Sequence, residues 1–215
     1  MKKHIVCFGD SNTHGYDAKT GGRFDETERW CCLLQKNLGE GYLIIEEGLS
    51  GRTTCFEDPI HEGLCGLDYI YPCLMSHEPV DLLIIMLGTN DTKERFGSSA
   101  ACIALGLKRL IAKAIAVTDS WRGGEPNILV VTPQNIDKKY IDSDVGSTMG
   151  NGCAEKSEGL AEEFEKIAEL MGCHYLDANQ AVLTETNQVD FMHLTKEGHR
   201  QLAEALTEKV KEIFA

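Results

Sequence analysis

At roughly 150 residues per domain, a chain of 215 residues is expected to form one compact domain over 1–215. Hydrophobic residues make up 42% and charged residues 26%, which excludes a disordered or collagen-like chain. With 21 basic against 34 acidic residues, the net charge is −13. A surface that negative repels phosphate backbones, and no cluster of Lys and Arg counters it, so neither nucleic acid nor an anionic membrane is expected as a partner.

In chain order, the first predicted element is a short apolar strand over 5–8, followed by Gly9-Asp10-Ser11-Asn12-Thr13-His14-Gly15. A helix is predicted over 26–38, with Trp30, Leu33, Leu34 and Leu38 on one face and Gly39 as its stop. A strand over 42–46 leads into a stretch without clear period, 50–66. The next strand, 82–87, is continuously apolar, as strands covered on both faces tend to be. A helix over 99–117 and a strand over 128–132 follow, and then a second aperiodic stretch, 137–152, rich in Gly, Ser and Asp. A helix over 154–171 and a strand over 174–176 precede the last helix, 195–214. There Thr195 is the predicted N-cap, and Leu202, Leu206, Val210 and Phe214 recur every four residues. Strands alternating with helices point to an α/β domain with a parallel sheet covered on both sides. The two aperiodic stretches have the length at which loops tend to be functional.

No apolar run approaches the roughly 18 residues of a membrane span. The run at 5–8 is shorter than the roughly 7–15 residues of a signal-peptide core, so a cytoplasmic location is expected. Nine cysteines are an odd number in a long chain and show no C-x-x-C spacing, so they read as small buried hydrophobes in a reducing compartment. His61 and Cys65 are one helical turn apart at best. Neither a metal nor another cofactor is called for.

In parallel α/β sheets, ligands collect beyond the carboxyl ends of the strands. Four polar junctions fall there: Gly9 to Gly15, Glu46 to Thr54, Gly88-Thr89-Asn90-Asp91, and Asp190-Phe191-Met192-His193. Singly, each reads as turn or cap chemistry. Together they hold the parts of acyl transfer. A serine hydroxyl attacks an ester only when a base removes its proton, and imidazole suits that task near neutral pH. Ser11 and His193 fill these roles, and Asp190, three residues earlier, can fix the imidazole tautomer and stabilise the cation that forms. The oxyanion of the tetrahedral intermediate needs donors. The candidates are the N–H groups of Ser11 and Gly51 and the side-chain amide of Asn90.

On these four blocks the chain resembles the SGNH hydrolases, also called GDSL esterases, named for a Ser, a Gly, an Asn and a His that Ser11, Gly51, Asn90 and His193 match in order. The resemblance spans the whole chain and implies a three-layer α/β/α sandwich around a parallel sheet of about five strands, close to the flavodoxin-like arrangement. The stretch Glu46-Glu47-Gly48-Leu49-Ser50-Gly51-Arg52-Thr53-Thr54 looks most like the arylesterase and acyltransferase branch. That branch implies short-chain esters, acetyl esters of sugars among them, as small-molecule substrates, and a homo-oligomer. The chain departs from the pattern at Asn12, where Leu is usual and where a polar residue would alter the pocket floor. It departs again at Phe191, where Gly is usual and where a positive φ would strain Phe. His14 stands where the acyltransferase branch often carries Trp. Rival readings are an acyltransferase, a flavin-binding module of the same sheet type, and a non-catalytic binding domain. An α/β-hydrolase elbow is disfavoured, since Gly9-Asp10-Ser11-Asn12-Thr13 lacks the second Gly of Gly-x-Ser-x-Gly.

Overall fold

The structure is a computed structural model and describes residues 1–215. Its first half runs β1 (Lys3–Gly9), a helical turn α1 (Ser11–His14), a small antiparallel pair β2 (Tyr16–Asp17) and β3 (Gly22–Arg23), α2 (Trp30–Leu38), β4 (Tyr42–Gly48), α3 (Gly66–Ser76), β5 (Leu82–Met86) and α4 (Ala100–Ile115). The second half runs β6 (Ile128–Thr132), α5 (Gly146–Met149), α6 (Cys153–Glu158), α7 (Leu160–Met171), β7 (His174–Asp177), α8 (Ala178–Ala181) and α9 (Lys196–Ile213). Five strands form one parallel sheet in the order β4-β1-β5-β6-β7. The order reverses at β1, because the chain first steps to β4 on one side and then to β5 on the other. That switch point is where such sheets open a crevice.

Alternation along each strand supplies two cores. Val6, Phe8, Leu83, Ile85 and Val130 face the layer of α3, α4 and α7, while Ile5, Cys7, Leu82, Ile84, Met86 and Val131 face α2, α8 and α9. With both faces of β5 covered, all five of its residues are buried. The sandwich expected from the sequence is therefore the observed fold. No helix is long and apolar enough to cross a membrane.

Several boundaries differ from the sequence reading for identifiable reasons. α2 begins at Trp30 rather than at residue 26, since Asp25 closes a turn by accepting from the Thr27 N–H at 2.7 Å and the Thr27 hydroxyl at 2.6 Å. The region 154–171 is two helices, α6 and α7, meeting at Gly159. A Cβ on Gly159 would lie 3.0 Å from that of Ala100, so the break lets the start of α7 come close to α4. Helix α3 was not expected, and Pro72 lies inside it. Thr195 caps α9 as read, accepting from the Gly198 N–H at 3.1 Å. All nine cysteines are free; five are buried, and Cys102 is exposed.

Candidate active site

The first block is built on glycines that let chain lie against chain. Gly9 and Gly48 sit opposite each other at the ends of β1 and β4. A Cβ on Gly9 would come within 2.0 Å of Thr13 Oγ1, and one on Gly48 within 2.1 Å of the His14 nitrogen. The α1 turn thus rests directly on the strand ends. Asp10 caps it, accepting from the Asn12 N–H at 3.0 Å, and Ser11 is its first residue. Asn12 does not line the pocket. Its side-chain oxygen accepts from the Leu194 N–H at 2.9 Å, fastening the first block to the last.

The last block brings the base to the nucleophile. Ser11 Oγ lies 2.7 Å from His193 Nε2, and His193 Nδ1 lies 2.6 Å from Asp190 Oδ2. Burial alone would raise the Asp190 pKa, but the hydrogen bond and charge of His193, with help from Asn187, hold it down at about 2. Asp190 therefore stays a carboxylate and can stabilise an imidazolium. Its Oδ1 accepts from the N–H groups of Met192 and His193, each at 3.1 Å, and from the Asn187 side chain at 2.8 Å.

This loop has no helix or strand and is organised around Asn187. The Asn187 side chain also donates to the His193 carbonyl at 2.9 Å and accepts from the N–H groups of Val189 and Asp190. Phe191 is the one non-glycine residue with positive φ, at 61°. The strain expected of Phe in the glycine place is therefore present, and the turn it makes lets Asp190 reach both N–H groups that follow it.

Two backbone N–H groups among the cavity-lining residues are unused, since neither Ser11 nor Gly51 donates to any acceptor in the chain. Gly51 reaches its position at φ 89°, a conformation that favours glycine. The Asn90 amide donates to the Arg52 carbonyl at 3.2 Å and, at the 3.5 Å limit, to Asp10. The second contact is weak enough to yield to a ligand. Arg52 braces this corner, its guanidinium donating to the carbonyls of Gly9 and Glu47 and lying over the Phe8 ring. Asp91 ties the corner to the neighbouring block, accepting from the Thr54 N–H at 2.9 Å and the Thr54 hydroxyl at 2.5 Å. Burial raises both Asp10 and Asp91 to about 6.

Ser11, Gly51, Asn90 and His193 line one cavity of about 250 Å³, with Asp190 behind the imidazole. All five residues predicted from the sequence are thus brought together. The sequence reading missed Tyr16, whose ring centre lies 4.7 Å from that of His193, and Lys93. Lys93 is buried 3.5 Å from Asp58, and burial lowers its pKa. Also missed was Asn187, whereas the polar stretch 137–152, singled out from the sequence as a functional loop, lines the cavity with Asp144, Val145, Thr148 and Met149. That stretch folds over its own apolar cluster of Tyr140, Met149, Cys153 and Met192, and Arg95 holds it through the Thr148 carbonyl at 2.7 Å. His14 does not line the cavity, so nothing at its position favours acyl transfer over hydrolysis. The flavin reading fails too, since Asn90, Asp190 and His193, which it leaves without a role, converge on Ser11.

Comparison with known proteins agrees with this geometry. Residues 7–201 match the GDSL-like Lipase/Acylhydrolase family. The aryl esterase of M. smegmatis is 35% identical with a TM-score of 0.90, over 98% of this chain and 99% of that one. Est24, a carbohydrate acetylesterase from Sinorhizobium meliloti, is also 35% identical, with a TM-score of 0.87 over 99% of this chain and 100% of that one. A Bacillus subtilis protein described as "Probable rhamnogalacturonan acetylesterase YesY" is 25% identical over 99% of this chain and 94% of its own length. The chain belongs to the GDSL-like lipase/acylhydrolase family and is a serine-type carboxylic ester hydrolase.

Proposed function

We propose that the protein cleaves short-chain carboxylic esters, acetyl esters of sugars among them, through an acyl-enzyme on Ser11. His193 Nε2 takes the Ser11 proton as Oγ attacks the ester carbonyl, and Asp190 holds the imidazole and balances its charge. The oxyanion is received by the Ser11 and Gly51 N–H groups and by the Asn90 amide, which gives up its long contact with Asp10. The imidazolium then returns the proton to the leaving alcohol. Water, deprotonated by the same imidazole, attacks the acyl carbonyl and releases the acid and free Ser11.

One observation carries this reading: the unbroken relay from Asp190 through His193 to a serine that opens on a cavity beside two unused N–H groups. The substrate class has support of its own. At about 250 Å³ the cavity is small, below the roughly 300–1,000 Å³ of pockets for drug-sized ligands. Its lining mixes Tyr16, Val145 and Met192 with Ser50, Lys93, Asp144 and Thr148, groups that can bond the hydroxyls of a polyol. Relatives described as acetylesterases of carbohydrates point the same way.

Labelling with an organophosphonate, followed by mapping of the modified residue, tests the nucleophile. Modification at Ser11 is expected, and a folded protein left unlabelled would overturn the assignment. Release of acid from acetate, butyrate and octanoate esters, and of acetate from acetylated sugars, tests the substrate. The rate is expected to fall with chain length, and a preference for octanoate would reject short-acyl specificity.

A further inference from the structure

Away from the active-site cavity, α3 lines up three residues four apart: Tyr69, Cys73 and His77, the last at its C-terminal cap. Such spacing puts them on one face, and Glu47, near the end of β4, meets that face. His77 Nε2 lies 2.6 Å from Glu47 Oε1. Cys73 Sγ completes a set of three donors whose ligand atoms all lie within 4.8 Å of one another. Cys73 is 1% exposed, whereas the Glu47 and His77 side chains are 17% and 27% exposed, so the set is anchored inside and open to solvent on one side.

We propose that Glu47, Cys73 and His77 form a binding site for a thiophilic divalent cation of the Zn²⁺ type, with water in the fourth position. The donor set selects the metal. One thiolate, one imidazole and one carboxylate suit zinc, whereas Ca²⁺ and Mg²⁺ require a shell of oxygens. Zinc–ligand distances of roughly 2.0–2.3 Å put neighbouring ligand atoms about 3.3–3.6 Å apart in a tetrahedron. The Glu47–His77 contact must open and the thiol close in by about an ångström each, which side-chain rotation can supply. The carboxyl end of a helix, where the backbone dipole is negative, favours a cation there.

Binding displaces protons. Burial pushes the Cys73 thiol up to about 12, so the free protein holds its proton. On binding, that proton leaves to solvent and the sulfur lone pair forms the bond to the metal. The nearby cation is Arg52, which donates to the Glu47 carbonyl and lies over the Tyr69 ring. A divalent ion held by one thiolate and one carboxylate is neutral overall, so Arg52 meets little net repulsion. The pair His61 and Cys65, the only such spacing weighed from the sequence, does not form this site. His61 lies in the loop before α3 and Cys65 is its N-cap.

The test is titration of the full-length protein with Co²⁺ as a coloured probe, followed by competition with Zn²⁺. One equivalent of Co²⁺ is expected to give a thiolate charge-transfer band in the near ultraviolet and the visible bands of a tetrahedral ion. Cys73→Ser is expected to abolish the charge-transfer band. His77→Gln should keep that band while weakening Zn²⁺ at least about tenfold, and Cys102→Ser, which removes an exposed thiol, should change neither. Circular dichroism and ester hydrolysis monitor folding. Should Cys73→Ser fail to fold, His77→Gln and Glu47→Gln carry the test through Zn²⁺ affinity. Absence of a one-to-one Co²⁺ complex, a band that persists in Cys73→Ser, or Zn²⁺ affinity indifferent to His77→Gln would each overturn the site. None of these readouts depends on Ser11 being the nucleophile.

Discussion

The serine and the histidine meet as near neighbours, yet they are held by different means. Ser11 is fixed by backbone: β1 lies between β4 and β5, and the α1 turn rests on the strand ends through Gly9 and Gly48. His193 is fixed by side chains: Asn187 and Asp190 between them hold the N–H groups of Val189, Asp190, Met192 and His193. A sheet spreads its hold over many bonds, whereas a loop concentrates it in a few residues. Single substitutions should therefore disturb the loop's geometry more readily than the strand ends, and the two regions should fail in different ways.

Asp190→Asn puts the largest strain on this contrast. An amide there leaves the packing in place but offers His193 Nδ1 the wrong partner, so kcat should fall on the order of 10⁴-fold, and because the folded loop favours the carboxylate, the thermal midpoint should fall as well. On the strand-end side, Asn90→Ala removes one oxyanion donor. Turnover should drop about 10²–10³-fold while substrate binding, read as KM, changes little. Equal losses in kcat/KM through KM alone would place Asn90 outside the transition-state contacts.

Asn187→Ala sharpens the comparison. No strand supports the loop, so losing this residue should lower kcat about 10–100-fold and stability by about 1–3 kcal/mol. Activity assays and chemical denaturation on the same preparation separate the two effects. A variant with full activity and full stability would show that the backbone of the loop holds itself.

Acid sensitivity distinguishes the regions again. His199, near the acid–base loop, is lowered to about 3 by burial and accepts from the Trp30 N–H at 3.3 Å. Its folded pKa lies below the ordinary value near 6.5, so the unfolded chain binds the extra proton first. Its own contribution to stability should fall as pH drops from about 6.5 toward 3, by about 1.4 kcal/mol per pH unit in the steepest part. Asp10 and Asp91, raised to about 6, have the opposite sign. They are protonated more readily when folded, so they add stability as pH falls from about 6 to 4. Denaturation of His199→Gln across this range should lose that downward contribution, so that stability rises more steeply than in the wild type as pH falls from about 6 to 4. The smallest effect belongs to Phe191→Gly. Relief of the positive φ and loss of the ring's packing against the cluster around Tyr140 should nearly cancel, leaving stability within about 1 kcal/mol.

The same contrast explains what the sequence discloses. Strands 5–8, 82–87 and 128–132 are legible because burial on both faces demands continuous apolar residues. Ser11, Gly51 and Asn90 are legible as polar or glycine positions shortly after strand ends, and Asp190 and His193 as an acid and a base three residues apart just before the last helix. Asn187 carries no such mark. Its value comes from the path of a loop with no period, and an Asn in such a loop reads as ordinary turn chemistry. Tyr16 and Lys93 become site residues only through the tertiary fold, and α3, which was not expected, carries Pro72 in its interior. Asn12, read as a change to the pocket floor, is instead a clasp between the first and last blocks.

That clasp and the Ser11–His193 bond both span 182 positions of sequence. A ribosome must therefore release the chain past His193 and Leu194 before a working centre exists, and a folding intermediate in which that segment is undocked has a hydroxyl without a base. Recovery of ester hydrolysis after dilution from denaturant should accordingly report the final docking event and lag behind the return of helical signal, so that catalysis itself becomes a clock for completion of the fold.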